Sequence, residues 1–379
     1  MPGPAWSALD ALAVAAGLTV ELPVRGNSFR SDADVTWQTI NPDGVRIWQD
    51  NATCPFAQAG IYQIEGSANG PAARGLNELV FSHYKGRALD IAEDIFSPFY
   101  HRVAGTIRAI APHWLLLAEM DPFGAMTGRK LPASMPAESV NASHWYDVTL
   151  LVSKQFDATL SVDLLSGEQS SGLAEIGARY QRQLADVKAL ADAVPGGLPT
   201  LIGEFGIPYD LDESAAYRAW AGGKCDESIW HAHTQALSLM YDALDALHLS
   251  STQWNYTAGN RNHARIGDQW NQEDLSVYSI DQPEGRAIHG FCRPYAQALQ
   301  GRLQHVYFDI NSGFFKLRYE ADAQIKLPTE IYLPRIQYAD GVTISFAGPV
   351  LRHQLSEDGQ HLQVWAASVG AITVICMRQ

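Results

Sequence analysis

The chain has 379 residues, 46% hydrophobic, 18% charged and 10% aromatic, the profile of an ordinary globular protein long enough for two domains. Its formal charge of −14, from 27 Lys and Arg against 41 Asp and Glu, excludes a general nucleic-acid binder, because phosphate contacts need a basic face. No run approaches the roughly 20 apolar residues that span a bilayer, so no integral membrane segment is expected.

A neutral or cationic partner fits this charge better than nucleic acid. The first 20 residues carry no Lys or Arg and Asp10 breaks their only apolar run, which is not a secretory signal; the compartment stays open, with a cytoplasmic location only the default. The four cysteines, Cys54, Cys225, Cys292 and Cys376, are far apart without a CxxC pair and read as mostly buried thiols, with one disulfide as the alternative. Sequons at Asn51, Asn141 and Asn255 are close to the number expected by chance.

Residues 1–92 show no sustained helical or strand period and many turn signals, such as Asn41-Pro42-Asp43-Gly44; they read as an irregular insertion. From about residue 93, Ile95, Phe99, Val103, Ile107 and Ile110 recur at helical spacing up to Pro112. The apolar run Trp114–Ala118 follows and ends at Glu119. Ala142–Tyr146 is a short strand candidate. Residues 174–191 read as a second helix, with Tyr180, Leu184, Val187 and Leu190 on one face. Thr200–Glu204 then reads as a buried strand, 228–247 as a third helix, and Thr252–Asn255 as the end of a fourth strand. Helices alternating with short apolar strands predict βαβ units and a parallel sheet over 93–297. Over 298–379 the helical pattern ends, and runs about ten residues apart predict a small antiparallel sandwich.

Each parallel-strand candidate ends in polar or aromatic groups: Glu119; His144 and Tyr146; Glu204; Trp254 and Asn255. In a β/α barrel the carboxyl ends of the strands form the active-site rim. Any one such residue has a plain alternative reading, a polar side chain where a strand meets water, but four together favour function. Glu204 is the sharpest, an acid ending an apolar strand between Gly203 and Gly206, which permit close approach of another backbone or a ligand. A carboxylate held ionised there can attack an anomeric carbon; the alternative is a carboxylate that satisfies loop amides. His231 and His233, two apart on a helix, face different ways and do not predict a metal site. Phosphate-cradling loops and a Gly-x-Ser-x-Gly elbow are absent, and no cofactor or metal is expected.

Five segments carry a family likeness: Leu201-Ile202-Gly203-Glu204-Phe205-Gly206-Ile207-Pro208, Trp254-Asn255-Tyr256-Thr257, the loop Gly267-Asp268-Gln269-Trp270-Asn271-Gln272-Glu273-Asp274-Leu275-Ser276, His144-Trp145-Tyr146-Asp147 and Arg293-Pro294-Tyr295. With them, residues from about 95 to 379 resemble the C-terminal portion of glycoside hydrolase family 5, in its endoglycoceramidase, glucocerebrosidase and steryl-glucosidase-like branch. The resemblance implies a (β/α)8 TIM barrel with a terminal β-sandwich and a retaining β-glycosidase acting on a glycolipid or steryl β-glucoside. It implies Glu204 as nucleophile, tuned by His144 and Tyr146. Trp254 would be the floor of the sugar subsite, and Asn255, Asn260, Asp268 and Trp270 would line it.

The departures are as informative. The family's acid/base belongs to an Asn-Glu-Pro motif ending the fourth barrel strand, and this chain has none; Asn77-Glu78-Leu79 is its only Asn-Glu pair. The chain therefore resembles barrel strands five to eight plus the sandwich. Three explanations stand: a gene fragment, a partner chain that supplies the other barrel half, or strands rebuilt from residues 1–90. Glu119 is a substrate contact, an improvised acid, or a carboxylate bonded to a neighbouring loop. The alternative function is a degenerate, non-catalytic glycan- or glycolipid-binding protein, and a polypeptide that does not fold alone is the plainest outcome.

Overall fold

The helical spacing of Tyr180, Leu184 and Val187 places all three in the core, on a helix that runs over Gly172–Asp192. The computed structural model describes residues 7–25, 35–49, 52–67, 70–75, 82–84, 86–120, 128–263, 267 and 273–379. Two compact units divide the chain, residues 1–95 and 96–379.

The first unit carries more regular structure than its turn-rich sequence predicts. A helix spans Ala8–Ala15, and Ser7 caps it: the Asp10 amide donates to Ser7 Oγ, and the Asp10 carboxylate accepts from the Ser7 amide. Val20–Arg25 pairs antiparallel with Val35–Ile40, Tyr62–Ser67 with Gly70–Gly75, and His83–Tyr84 with Arg87–Ala88. Val20–Arg25 does alternate apolar and polar residues, a signal the turn-rich surroundings mask, whereas the glycine-bearing Gly70–Gly75 and the two-residue pair at 83–88 carry no period to read.

In the second unit, helix α1 (Ser97–Arg108) leads to strand β1 (Leu116–Ala118). Strand β2 (Ser139–Asn141) pairs parallel with β1, in the register Leu116 to Ser139 and Ala118 to Asn141. The expected strand at Ala142–Tyr146 thus lies three residues earlier; 142–146 continues beyond it without strand geometry. Its backbone is still held in place, since the Ala142 amide donates to the Ala118 carbonyl and the Trp145 amide to the Glu204 carbonyl. Helix α2 (Gly172–Asp192) precedes strand β3 (Leu201–Phe205), which joins β2 through a parallel bridge between Asn141 and Thr200. Helix α3 (His231–Ala246) precedes strand β4 (Ser250–Gln253), parallel to β3. The order β1-β2-β3-β4 is the one that successive βα units predict.

The helices cover one side of this sheet. Ile176, Tyr180 and Leu184 of α2 and Leu237 and Met240 of α3 pack with Ile202 and Phe205 of β3 in one core. At β1 the burial is incomplete: Leu116 and Ala118 are buried, whereas Trp114, Leu115 and Leu117 are 67%, 58% and 56% exposed. Among the described residues, the outer edges of β1 and β4 pair with no further strand.

The rest of the chain is a sandwich of two four-stranded antiparallel sheets. Its strands are β5 (Tyr295–Ala298), β6 (Gly301–Asp309), β7 (Phe314–Ala321), β8 (Thr329–Tyr332), β9 (Val342–Ala347), β10 (Val350–Leu355), β11 (His361–Ala366) and β12 (Gly370–Arg378). The sheet orders are β5-β8-β11-β10 and β6-β7-β12-β9, and a single core of buried side chains from both lies between them. All four cysteines are free, so the disulfide alternative does not hold; Cys54 and Cys376 are buried and Cys225 is exposed. Among the described residues, no helix is long and apolar enough to cross a membrane.

Candidate active site

The carboxyl ends of β1, β2 and β3 bring Glu119, His144, Tyr146 and Glu204 together. The segment after β2 alternates: Trp145 and Asp147 turn into the core while His144 and Tyr146 face the other way. Trp145 packs edge-on against Tyr180, with ring centroids 5.1 Å apart. Asp147 accepts from the Tyr180 hydroxyl at 2.5 Å, pairs with the buried Arg179 guanidinium at 3.4 Å, and caps the helix Val148–Ser153. This anchorage fixes where His144 and Tyr146 project.

Both groups meet Glu204. The Tyr146 hydroxyl donates to Glu204 Oε2 at 3.1 Å, and His144 Nδ1 lies 3.2 Å from the same oxygen. Among the described residues no side chain bonds Oε1, so one carboxylate oxygen is held and the other is not. Burial raises the Tyr146 pKa well above the ordinary phenol value, and the charge and hydrogen bond of Glu204 and the charges of Glu273 and Glu119 add to it. Tyr146 therefore stays protonated and acts as a donor.

The glycines on either side of Glu204 have the roles the sequence suggests. A Cβ at Gly203 would press on the Ala142 carbonyl oxygen and lie 3.0 Å from His144 Cδ2 and 3.2 Å from Nε2, so only glycine lets the imidazole lie over the strand. A Cβ at Gly206 would press on the Trp254 carbonyl oxygen. The Trp254 amide donates to the Phe205 carbonyl at 2.8 Å, which places Trp254 beside the end of β3.

Glu119 meets the segment that follows β2, as one reading expected of it. Its carboxylate Oε1 lies 3.1 Å from His144 Nδ1, and its carbonyl accepts from the Tyr100 hydroxyl at 2.6 Å. Partial burial pushes its pKa up; His144 opposes this and the charge of Glu204 adds to it. Two carboxylates on one nitrogen place their nearest oxygens within roughly 6 Å of each other.

The remaining expected residues divide. The Asn255 amide donates to the Leu275 carbonyl and its carbonyl accepts from the Val277 amide, so the chain after β4 is laced to residues 275–277. Asn260 is fully buried and gives its Nδ2 to Asp274 at 3.2 Å and to the Tyr278 carbonyl at 2.9 Å. Asp268, Trp270 and Glu78 lie outside the described residues. His233 is buried in the core, Nε2 3.1 Å from the Tyr209 carbonyl oxygen, and burial lowers its pKa to about 3.

Sequence reasoning missed the group that secures this loop. Arg286 is fully buried and grips Asp274 with two hydrogen bonds, of 3.0 and 2.5 Å, while it also bonds the Ser276 carbonyl and the Tyr217 hydroxyl. Its guanidinium lies 4.2 Å from the Tyr209 ring centroid. A lone arginine in Asp-Gln-Pro-Glu-Gly-Arg carries no signal of burial; only the position of Asp274 in a recognisable loop hinted at a buried partner.

Comparison with known proteins adds what geometry cannot. Residues 293–375 match the Glycoside hydrolase family 5 C-terminal domain. The chain is 26% identical over 367 residues to a glucosylceramidase of Cryptococcus neoformans var. grubii, covering 87% of this chain and 47% of that protein. It is 25% identical over 264 residues to the ergosteryl-beta-glucosidase of Saccharomyces cerevisiae, covering 66% of this chain and 31% of that one. The crystal structure of Cryptococcus neoformans sterylglucosidase 1 superposes with a TM-score of 0.82 at 24% identity, over 100% of this chain and 59% of that chain. The chain spans about half the length of the curated relatives it matches. The family and branch expected from the motifs are those to which these matches point.

Proposed function

We propose that this chain carries the nucleophile half of a retaining β-glycosidase that acts on the β-glucosyl head group of a lipid or sterol glycoside. The observation that carries the reading is the pair of groups on Glu204 Oε2, Tyr146 and His144, which orient the carboxylate and leave Oε1 to react. Oε1 attacks the anomeric carbon; as that bond forms, the bond from the anomeric carbon to the aglycone oxygen breaks, and the departing oxygen takes a proton from a general acid. Water then cleaves the glycosyl ester and restores Glu204, with retention after two inversions. Trp254 stacks on the sugar, and Asn255 with Asp268 and Trp270 lines the subsite. The names of the relatives support the substrate class.

The strands β1 to β4 are, in this reading, strands five to eight of a (β/α)8 barrel, and the general acid/base and the other barrel half come from residues outside this sequence, whether on the same polypeptide or on a partner. Three facts support the half-barrel reading: the parallel order, the two edges that are unpaired among the described residues, and the exposure of Leu115 and Leu117. Glu204→Gln tests the chemistry against mere sugar binding. Release of dinitrophenolate from an activated β-glucoside falls at least about 10³-fold while sugar affinity persists. Equal release by the wild type and the variant contradicts the proposal.

A further inference from the structure

His144 has one Nδ1 and two carboxylate neighbours. Glu119 Oε1 lies 3.1 Å and Glu204 Oε2 3.2 Å from it, and both are acceptors when ionised. A bare nitrogen lone pair facing two carboxylate oxygens at that distance is repelled by both, so the proton belongs on Nδ1. The opposite edge of the ring, Cδ2 and Nε2, lies against the backbone at Gly203, where a Cβ would collide with it. The imidazole is thus confined by glycine on one edge and by charge on the other, and the Tyr146 hydroxyl occupies the remaining approach to Glu204 Oε2.

From this geometry, and resting on the reading of Glu204 as nucleophile, we infer that Glu119 is a positioning residue for the reaction: it holds His144 in the Nδ1-protonated tautomer, with the ring aimed at Glu204 Oε2, so that Oε1 points to the sugar. Glu119 acts through His144 and takes no part in bond making. Glu204 Oε2 is shared between the Tyr146 hydroxyl and His144, and the contact at Gly203 restrains only the opposite edge of the ring. Glu119 adds a second fixed point from β1, and the Tyr100 hydroxyl pins the backbone of that point through the Glu119 carbonyl. Orientation of this kind matters because a displacement of about 1 Å at a reacting group can cost about 10²-fold in rate.

The test uses the full chain, Glu119→Gln and Glu119→Ala, with two readouts. The first is the imidazole ¹⁵N spectrum of His144, assigned with His144→Gln, which reports the tautomer without any reaction. The second is the rate at which Glu204 is labelled by 2,4-dinitrophenyl 2-deoxy-2-fluoro-β-glucoside, a probe whose leaving group needs no acid. The wild type shows a Nδ1-protonated, Nε2-bare ring. Glu119→Gln keeps an acceptor at the same place, retains that tautomer and labels within about threefold of wild type. Glu119→Ala loses the tautomer and labels more slowly by about tenfold or more. An unchanged His144 spectrum and labelling rate in folded Glu119→Ala overturns the inference. If Glu204 is not labelled in any form while the tautomer still depends on Glu119, the glycosidase reading fails and the role of Glu119 in holding His144 stands.

Discussion

Strand β7 of the sandwich and strand β1 of the parallel sheet differ in what covers them. On β7, Phe315, Leu317, Tyr319 and Ala321 are all buried, because the facing sheet supplies Ile331, Leu362 and Val364. On β1, Leu116 and Ala118 are buried with Tyr100 and Ala104 of α1, but Leu117 between them is exposed. The polar interior differs too. The buried charged residues Asp147, Asp163, Arg179, Asp274, Arg286 and Arg293 all precede the sandwich strands, and buried charges within 298–379 are absent among the described residues. Paired buried charges bring little net stability compared with apolar packing, so the two parts of the molecule are held together by different means. The sandwich completes its own core, whereas β1 of the parallel sheet keeps large apolar side chains exposed.

The largest test of this contrast is Arg286→Met. It removes one partner of a buried pair and leaves Asp274 uncompensated, which should cost about 3–5 kcal/mol in chemical denaturation. The double variant Arg286→Met/Asp274→Leu recovers part of that loss. A cost below about 1 kcal/mol for the single variant would show that the loop does not depend on the pair.

Next come two leucines with the same spacing logic and opposite surroundings. Leu317→Ala in the sandwich core should cost about 2–5 kcal/mol, whereas Leu117→Ser should change stability by no more than about 0.5 kcal/mol in the isolated chain. If a partner covers β1, Leu117→Ser weakens that association instead, which sedimentation of the mixed chains would detect.

The smallest effect is a pH dependence confined to one region. Burial keeps His233 neutral and lowers its pKa from 6.5 to about 3. Between those values the unfolded chain binds the proton and the folded chain does not, so stability is lost as pH falls from 6.5 towards 3. Hydrogen exchange corrected for intrinsic rates should show protection over 231–246 falling from pH 7 to pH 5 more than over 314–321. Equal losses would mean that the two regions unfold as one unit.

Legibility in the sequence followed the same division. The end of β3 was readable because its chemistry is local: an apolar run, an acid, and two glycines that close contacts require. The helices α1, α2 and α3 were readable from their spacing. The sandwich strands β7, β8, β9, β11 and β12 carry readable apolar runs, but β6 does not, since a bulge between Leu303 and His305 breaks its alternation. Strand β10 lies at a sheet edge, mostly exposed, with no apolar period to read. Strand β2, Ser-Val-Asn, lacks a strand signal, and the aromatic residues beyond it drew the expectation three positions too far. The contact between Glu119 and His144 and the grip of Arg286 on Asp274 are long-range pairings, which no local pattern encodes.

The central claim is that Glu204 is poised for covalent attack even though this chain brings no Asn-Glu-Pro acid. Intact mass after incubation with 2,4-dinitrophenyl 2-deoxy-2-fluoro-β-glucoside tests it most directly, followed by peptide mapping. One fluoroglucosyl group per chain, on the peptide that contains Glu204 and absent in Glu204→Gln, is the predicted result. A folded chain that gains no mass, or that is labelled elsewhere, would contradict it.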